Sequence, residues 1–272
     1  MNRPEQPSRL MQIPDVQSAR DERRLAIDRV GIRGLRYPLA FADHDGAAQP
    51  TIATANVYVA LAEDRKGTHM SRLVMMLEER AAPGAAPLTV AGLDAMLREL
   101  VARLDAPAGR IELAFPFFVR KTAPVSGVAS LLDYEVRLAG ELVDGRITKT
   151  IAVAVPVQSL CPCSKEIADY GAHNQRSTIT ITVRTEESVE LAELLRIAED
   201  EASSELYGIL KRADEKYVTE RAYDNPRFVE DLVRGVAGKL AADSRFAAYS
   251  VEAENFESIH NHSAYARIAR GI

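Results

Sequence analysis

Residues 131–157 limit the fold more than any other stretch. LLDYEVRLAGELV and RITKTIAVAVPV face each other across Asp144-Gly145. Asp-Gly suits a two-residue type I′ turn, in which both central residues need positive φ. Both arms are rich in Val, Ile and Leu, so they predict an antiparallel hairpin. The second arm leads into SLCPCSKEIADYGAHNQRS, residues 159–177, read as a loop at a sheet edge. STITITVRT, residues 177–185, then alternates strictly and predicts a further strand with Thr on one face.

The remaining segments extend this sheet and cover it. Residues 27–41, 50–62 and 110–119 read as strands, and 246–269 as strand, loop, strand. Thr89 is a good N-cap, and Leu93, Met96, Leu97, Leu100, Val101 and Leu104 recur at helical spacing behind it. VMMLEER starts a short helix. Ser188 is expected to cap one long helix over 188–212. Asn225-Pro226 is expected to open another, with Phe228, Val229, Leu232 and Val233 facing inward. Antiparallel strands with helices on one face make an α+β architecture. With 272 residues, 47% of them hydrophobic, the chain can bury a sizeable core. Residues 1–20 are polar and read as a flexible tail, leaving 21–272 as a single domain.

The chain has two cysteines, Cys161 and Cys163, and both lie in the 159–177 stretch. No secretory apolar region and no run of about 18 apolar residues is present, so the protein is expected to be cytoplasmic, without a membrane partner. In that compartment a metal or catalytic role suits the thiols better than a disulfide. A net charge of −5 leaves no basic footprint, so no nucleic-acid partner is expected.

A catalytic zinc site takes three ligands from Cys, His and carboxylate and keeps one position open. Cys161, Cys163 and His173 offer the right types. Their spacing is not that of a zinc finger, and two buried small side chains with an ordinary polar histidine explain the residues equally well. His260 and His262 stand two apart, so on an extended segment both imidazoles face one way, near Glu257. The alternative is two solvated histidines. Glu215 and Glu230 flank a helix start. Such glutamates are usually solvated, but a carboxylate can also accept the N–H groups of a purine edge. Lys66, Arg72, Lys165 and Arg176 suit polyphosphate, although ordinary surface charge is the simpler reading of each. There is no Walker motif.

SLCPCSKEIADYGAHNQRS resembles the signature of GTP cyclohydrolase type IB, a prokaryotic GTP cyclohydrolase I family. KGTHMSR at 66–72, YDNPRFVED at 223–231 and ENFESIHNHSAYA at 254–266 resemble three further blocks of that family, in order. The resemblance implies a tunnelling fold (T-fold): antiparallel sheets with helices on one face, two modules per chain, and a homotetramer with interfacial active sites. It implies hydrolysis of GTP to 7,8-dihydroneopterin triphosphate and formate, the first step of tetrahydrofolate biosynthesis. It also implies a divalent metal, zinc or manganese with iron or magnesium as alternatives, that activates water for attack on C8 of guanine. Carried over by position, Cys161, His173, Glu215 and His260 would form the metal site, and Glu230 would anchor the guanine. Cys163, Glu257 and His262 would serve hydration and proton transfer. Which of Cys161 and Cys163 holds the metal stays open. The triphosphate contacts, Lys66, Arg72, Lys165 and Arg176, are expected from charge and loop placement. The alternatives are a related tunnelling-fold enzyme acting on a pterin or deazapurine, a non-catalytic metal-binding oligomer, and a purely structural oligomer with buried cysteines.

Overall fold

A computed structural model describes residues 17, 19–43 and 47–272. The expected tail falls mostly outside them. Gln17 and Ala19, which are described, accept hydrogen bonds from the backbone N–H groups of Gly67 and Lys66.

In chain order the elements are β1 (Ile27–Phe41), β2 (Gln49–Leu61), α1 (Met70–Ala81), α2 (Gly92–Leu104), β3 (Ala108–Thr122), β4 (Ala129–Val143), β5 (Arg146–Leu160), α3 (Pro162–Ile167), β6 (Asn174–Thr185), α4 (Leu191–Glu201), β7 (Ser204–Glu205), α5 (Arg212–Asp224), α6 (Val229–Ala241), β8 (Ala248–Asn255) and β9 (Ala264–Arg270). The strands form one antiparallel sheet in the order β1-β2-β3-β4-β5-β6-β8-β9, with the short β7 pairing on β5. The hairpin forms as its sequence dictates. Val143 pairs with Arg146, and Asp144 and Gly145 both have positive φ, 49° and 79°. The pairing of β4 with β5 joins the two halves of the chain in one sheet.

One face of the sheet is apolar and carries the helices. Val153, Val155 and Val157 of β5 and Ile179, Ile181 and Val183 of β6 are all fully buried there. Strict alternation puts their neighbours on the opposite face. Thr89 Oγ1 accepts from Gly92 N–H at 2.8 Å, closing the turn that leads into α2, whose N-cap position is Ala91 rather than the expected Thr89. Gly140 lets α2 lie close on β4. A Cβ at this position would stand 2.7 Å from Leu93 Cδ2 and Leu97 Cδ1.

Three further expectations need correction. The helix expected over 188–212 ends at Glu201. Ser203 donates its N–H to Gln158 O and accepts Leu160 N–H on Oγ, so the chain leaves the helix to dock on β5. Serine competes for backbone groups in this way, which weakens it as a helix former. The cap of α4 is not Ser188. Asp43, 148 and 149 residues upstream, accepts the N–H groups of Leu191 and Ala192. Asn225-Pro226 does not open the third helix. Asn225 closes α5 and donates to Ala202 O, while α6 begins at Val229 with Asp231 accepting Phe228 N–H at 2.9 Å. Phe228 is consequently exposed rather than inward-facing.

Candidate active site

The stretch expected as a loop contains a one-turn helix. Pro162 occupies its first turn, Cys161 is the N-cap, and Cys161 Sγ accepts Ser164 N–H at 3.5 Å. Cys161 N–H donates to His173 O at 3.1 Å. Ser164 Oγ bridges the two, donating to Cys161 O and accepting His173 N–H. The backbones of Cys161 and His173 are therefore locked side by side where β5 ends and β6 begins. Cys163 lies within α3 and is exposed, whereas Cys161 is half-buried.

Glu257 reaches the same place from the turn after β8. Its Oε2 lies 3.8 Å from His173 Nδ1 and has no hydrogen-bond partner despite being buried. An orphaned buried carboxylate oxygen beside an imidazole can accept its N–H or a proton from a ligand, while the thiol and the imidazole are two donors of the types a divalent cation takes. His260 and His262 follow in the same exposed turn, with ring centroids 5.1 Å apart and planes 16° from parallel.

Arg227 N–H donates to Leu160 O, so the α5–α6 junction packs against the residue before Cys161. Glu230 lies in the first turn of α6, one turn beyond, and is exposed. Lys165 Nζ donates to Tyr223 O and lies 4.2 Å from the Tyr223 ring centroid. It thus ties α3 to α5. Arg176 is exposed on β6, opposite Gln158 of β5.

Glu215 sits in the first turn of α5, exposed, beside Asp214. Asp214 is fully enclosed and accepts Val125 N–H, Ser126 N–H, Ser126 Oγ–H and Lys211 N–H, all within 2.8 Å. Burial alone would raise its pKa. The hydrogen bonds from Ser126, Lys211 and Val125 outweigh burial and hold the carboxyl well below the usual carboxylate range. A depressed folded-state pKa supplies stability above the unfolded value, and that stability is lost as pH falls. The melting temperature of the protein is expected to fall below about pH 4, the unfolded aspartate value. Asp214→Asn should lower it at neutral pH and flatten that dependence. Equal slopes for the two proteins below pH 4 would reject the role.

Among the described residues, no group of three or more His, Cys, Asp or Glu side chains is poised to hold a metal ion. The four-ligand set expected from the resemblance is therefore not assembled by one chain. Cys161 and His173 come together, with Glu257 beside them. Glu215 is held at the Ser126 end of α5, and His260 stays in its exposed turn.

Lys66 and Arg72 are elsewhere altogether. Val59, near the end of β2, pairs with Gly109 at the start of β3, and β4 returns to that end, where β5 begins. Cys161 follows the far end of β5, a 15-residue strand about 45 Å long at 3.3 Å per residue. Lys66 and Arg72 thus lie at the opposite end of the sheet. There Arg72, with Arg65, Thr68 and His69, lines a cleft of about 330 Å³.

Sequence reasoning missed Gln175, Ser159 and Ser177. They form a buried hydrogen-bonded group next to His173. The strict alternation of β6 was the available signal, since it puts Gln175 and Ser177 on the face of Ile179 and Ile181.

A family described as type I GTP cyclohydrolase folE2 matches residues 13–266. GTP cyclohydrolase FolE2 of Herminiimonas arsenicoxydans is 58% identical over 258 residues, covering 95% of this chain and 97% of that protein. GTP cyclohydrolase FolE2 2 of Burkholderia lata is 59% identical, covering 95% and 94%. Among solved structures, uricase from Arthrobacter globiformis is similar at 9% identity and a TM-score of 0.49, covering 89% of this chain and 93% of that one. No helix among the described residues is long and apolar enough to cross a membrane. The type IB subdivision expected from the motifs is a finer assignment than these comparisons make. The chain belongs to the type I GTP cyclohydrolase FolE2 family.

Proposed function

We propose that the protein converts GTP and water to 7,8-dihydroneopterin triphosphate and formate, as the type IB enzymes it resembles do, in the first step of tetrahydrofolate synthesis. Family membership over nearly the whole chain supports this reading. The observation that carries it is the meeting of Cys161, His173 and the unpartnered Glu257 oxygen at one sheet end.

Cys161 Sγ and the outward nitrogen of His173 would hold a divalent ion, zinc or manganese, and Glu215 and His260, which the single chain keeps apart from them, would complete the set only in the assembled oligomer. When bound, the ion would supply Lewis acidity and lower the pKa of water at the site. Water adds to C8 of the guanine, and a histidine delivers a proton to N7. Cys163, Glu257 and His262, the last stacked on His260, would move these protons. Opening of the imidazole ring and a second hydrolysis release formate, and ring closure onto the rearranged ribose returns one water. Glu230 accepts the paired N–H donors of the guanine edge. Arg176 serves the triphosphate from this chain. Lys66 and Arg72, at the far end of the sheet, serve it from a second copy.

The second copy fits the tunnelling-fold reading. The element order contains two β-β-α-α-β-β runs, β1 to β4 and β5 to β9 with α3, β7 and α5 inserted in the second. Two modules per chain in a homotetramer would bring the two ends together. The direct test is incubation of metal-loaded protein with GTP, with dihydroneopterin triphosphate read by fluorescence after oxidation. Product with zinc or manganese is expected. Tight metal without turnover would instead make the protein a binding module.

A further inference from the structure

The helix-covered face of β5 and β6 is aliphatic until its last few residues. There Ser159 and Ser177 are 0% exposed and Gln175 is 7% exposed. Burying polar groups at the edge of a valine and isoleucine core is costly unless they are hydrogen-bonded. Here they are. Ser159 and Ser177 place their Oγ atoms 2.7 Å apart, and Gln175 Nε2 donates to Ser159 Oγ at 2.8 Å. Gln175 pairs directly with Ser159 across the strands, so the register fixes the contact. The other end of the amide, Oε1, lies 3.0 Å from His173 Nδ1.

The second neighbour of that nitrogen is Glu257 Oε2, at 3.8 Å. A carboxylate only accepts, and so does an amide oxygen. A nitrogen facing two acceptors carries the hydrogen. A reversed amide would turn its NH₂ towards the ring, put the hydrogen on Nε2 and leave Nε2 without a lone pair. Ser159 Oγ can accept from the amide NH₂ or donate to its oxygen, so it anchors either orientation, and Glu257, which only accepts, disfavours the reversed one.

We propose that Gln175, anchored by Ser159 and Ser177, is a positioning residue that fixes His173 as the Nδ1–H tautomer and presents Nε2 to the metal. The proposal rests on the reading of His173 as a ligand. A ligating histidine commonly has its second nitrogen held by such an acceptor, and loss of the partner weakens metal binding by about 10–100-fold.

The test is zinc affinity, measured by competition with a chromophoric chelator, alongside kcat and KM for GTP. Gln175→Leu should weaken zinc by about 10–100-fold. With saturating metal its KM for GTP should stay near that of the unchanged protein. Gln175→Glu, which keeps an acceptor facing Nδ1, should restore zinc affinity to within about threefold, as carboxylate-held histidines do. Ser159→Ala keeps Gln175 but removes its anchor, so it should weaken zinc less than Gln175→Leu does. It also serves as the test if Gln175→Leu does not fold. A purely structural role predicts a lower melting temperature with unchanged zinc affinity, and that result would overturn the proposal. His173→Ala separates the two levels. If it loses zinc while Gln175→Leu and Ser159→Ala keep it, the positioning role fails and the site stands. If His173→Ala also keeps zinc, the site itself is misplaced.

Discussion

Cys161→Ala is expected to lose its metal and about three orders of magnitude in kcat/KM for GTP, the equivalent of the several kcal/mol a catalytic metal contributes. Cys163→Ala is expected to keep its metal and lose less activity. The geometry separates the two thiols, which stand on either side of Pro162. Cys161 caps α3, with its N–H on His173 O and its sulfur held by Ser164 N–H. Cys163 projects from α3 into solvent. The role proposed for it is proton transfer, worth about 10²-fold or more when a positioned group is lost. Metal content by elemental analysis, together with steady-state kinetics, decides the matter. Metal retained by Cys161→Ala and lost from Cys163→Ala would reverse the assignment.

Glu230→Gln is expected to raise KM for GTP by about 10–100-fold and to leave metal content unchanged. The position suits an anion, since Glu230 occupies the first turn of α6, where the helix dipole favours negative charge. A carboxylate can accept two guanine N–H groups at once. The amide of glutamine offers one acceptor and sets its own NH₂ against the second donor. Hydrogen bonds to a charged group are worth about 1.5–3 kcal/mol each, and an unmatched donor adds its desolvation penalty. Losing one such bond corresponds to about the tenfold to hundredfold range. An unchanged KM rejects the anchoring role. Parallel loss of metal and GTP binding would show that Glu230 supports the fold of the site instead.

Local patterns were legible where the structure is local. The Asp144-Gly145 turn and the α2 stripe from Leu93 to Leu104 form as their residues dictate. The misplaced ends of α4 share one cause, partners far away in sequence. α4 stops where Ser203 finds β5, and it starts where Asp43 supplies the cap. α5 escaped notice because only Asp214 and Ala222 are buried on it, so it has no apolar stripe to read. The types of the candidate site residues, Glu215 apart, were visible in four sequence blocks. Their grouping was not. The contact of Gln175 with Ser159 depends on strand register, and the choice between Cys161 and Cys163 depends on a one-turn helix. Lys66 and Arg72 share a sequence block with no sign that they sit at the far end of the sheet.

That separation leads to the central claim, a GTP site built from the Cys161 end of one copy and the 66–72 segment of another. The most direct test co-expresses two inactive proteins, Cys161→Ala and the double variant Lys66→Ala/Arg72→Ala, and assays the mixed oligomers for dihydroneopterin triphosphate. In a shared site, random assembly of equal amounts leaves one site in four with both halves intact. Activity of about a quarter of the unchanged protein is therefore expected, following the loss of all activity in each parent. Mixed oligomers no more active than either parent, or a double variant that is fully active alone, would contradict the account.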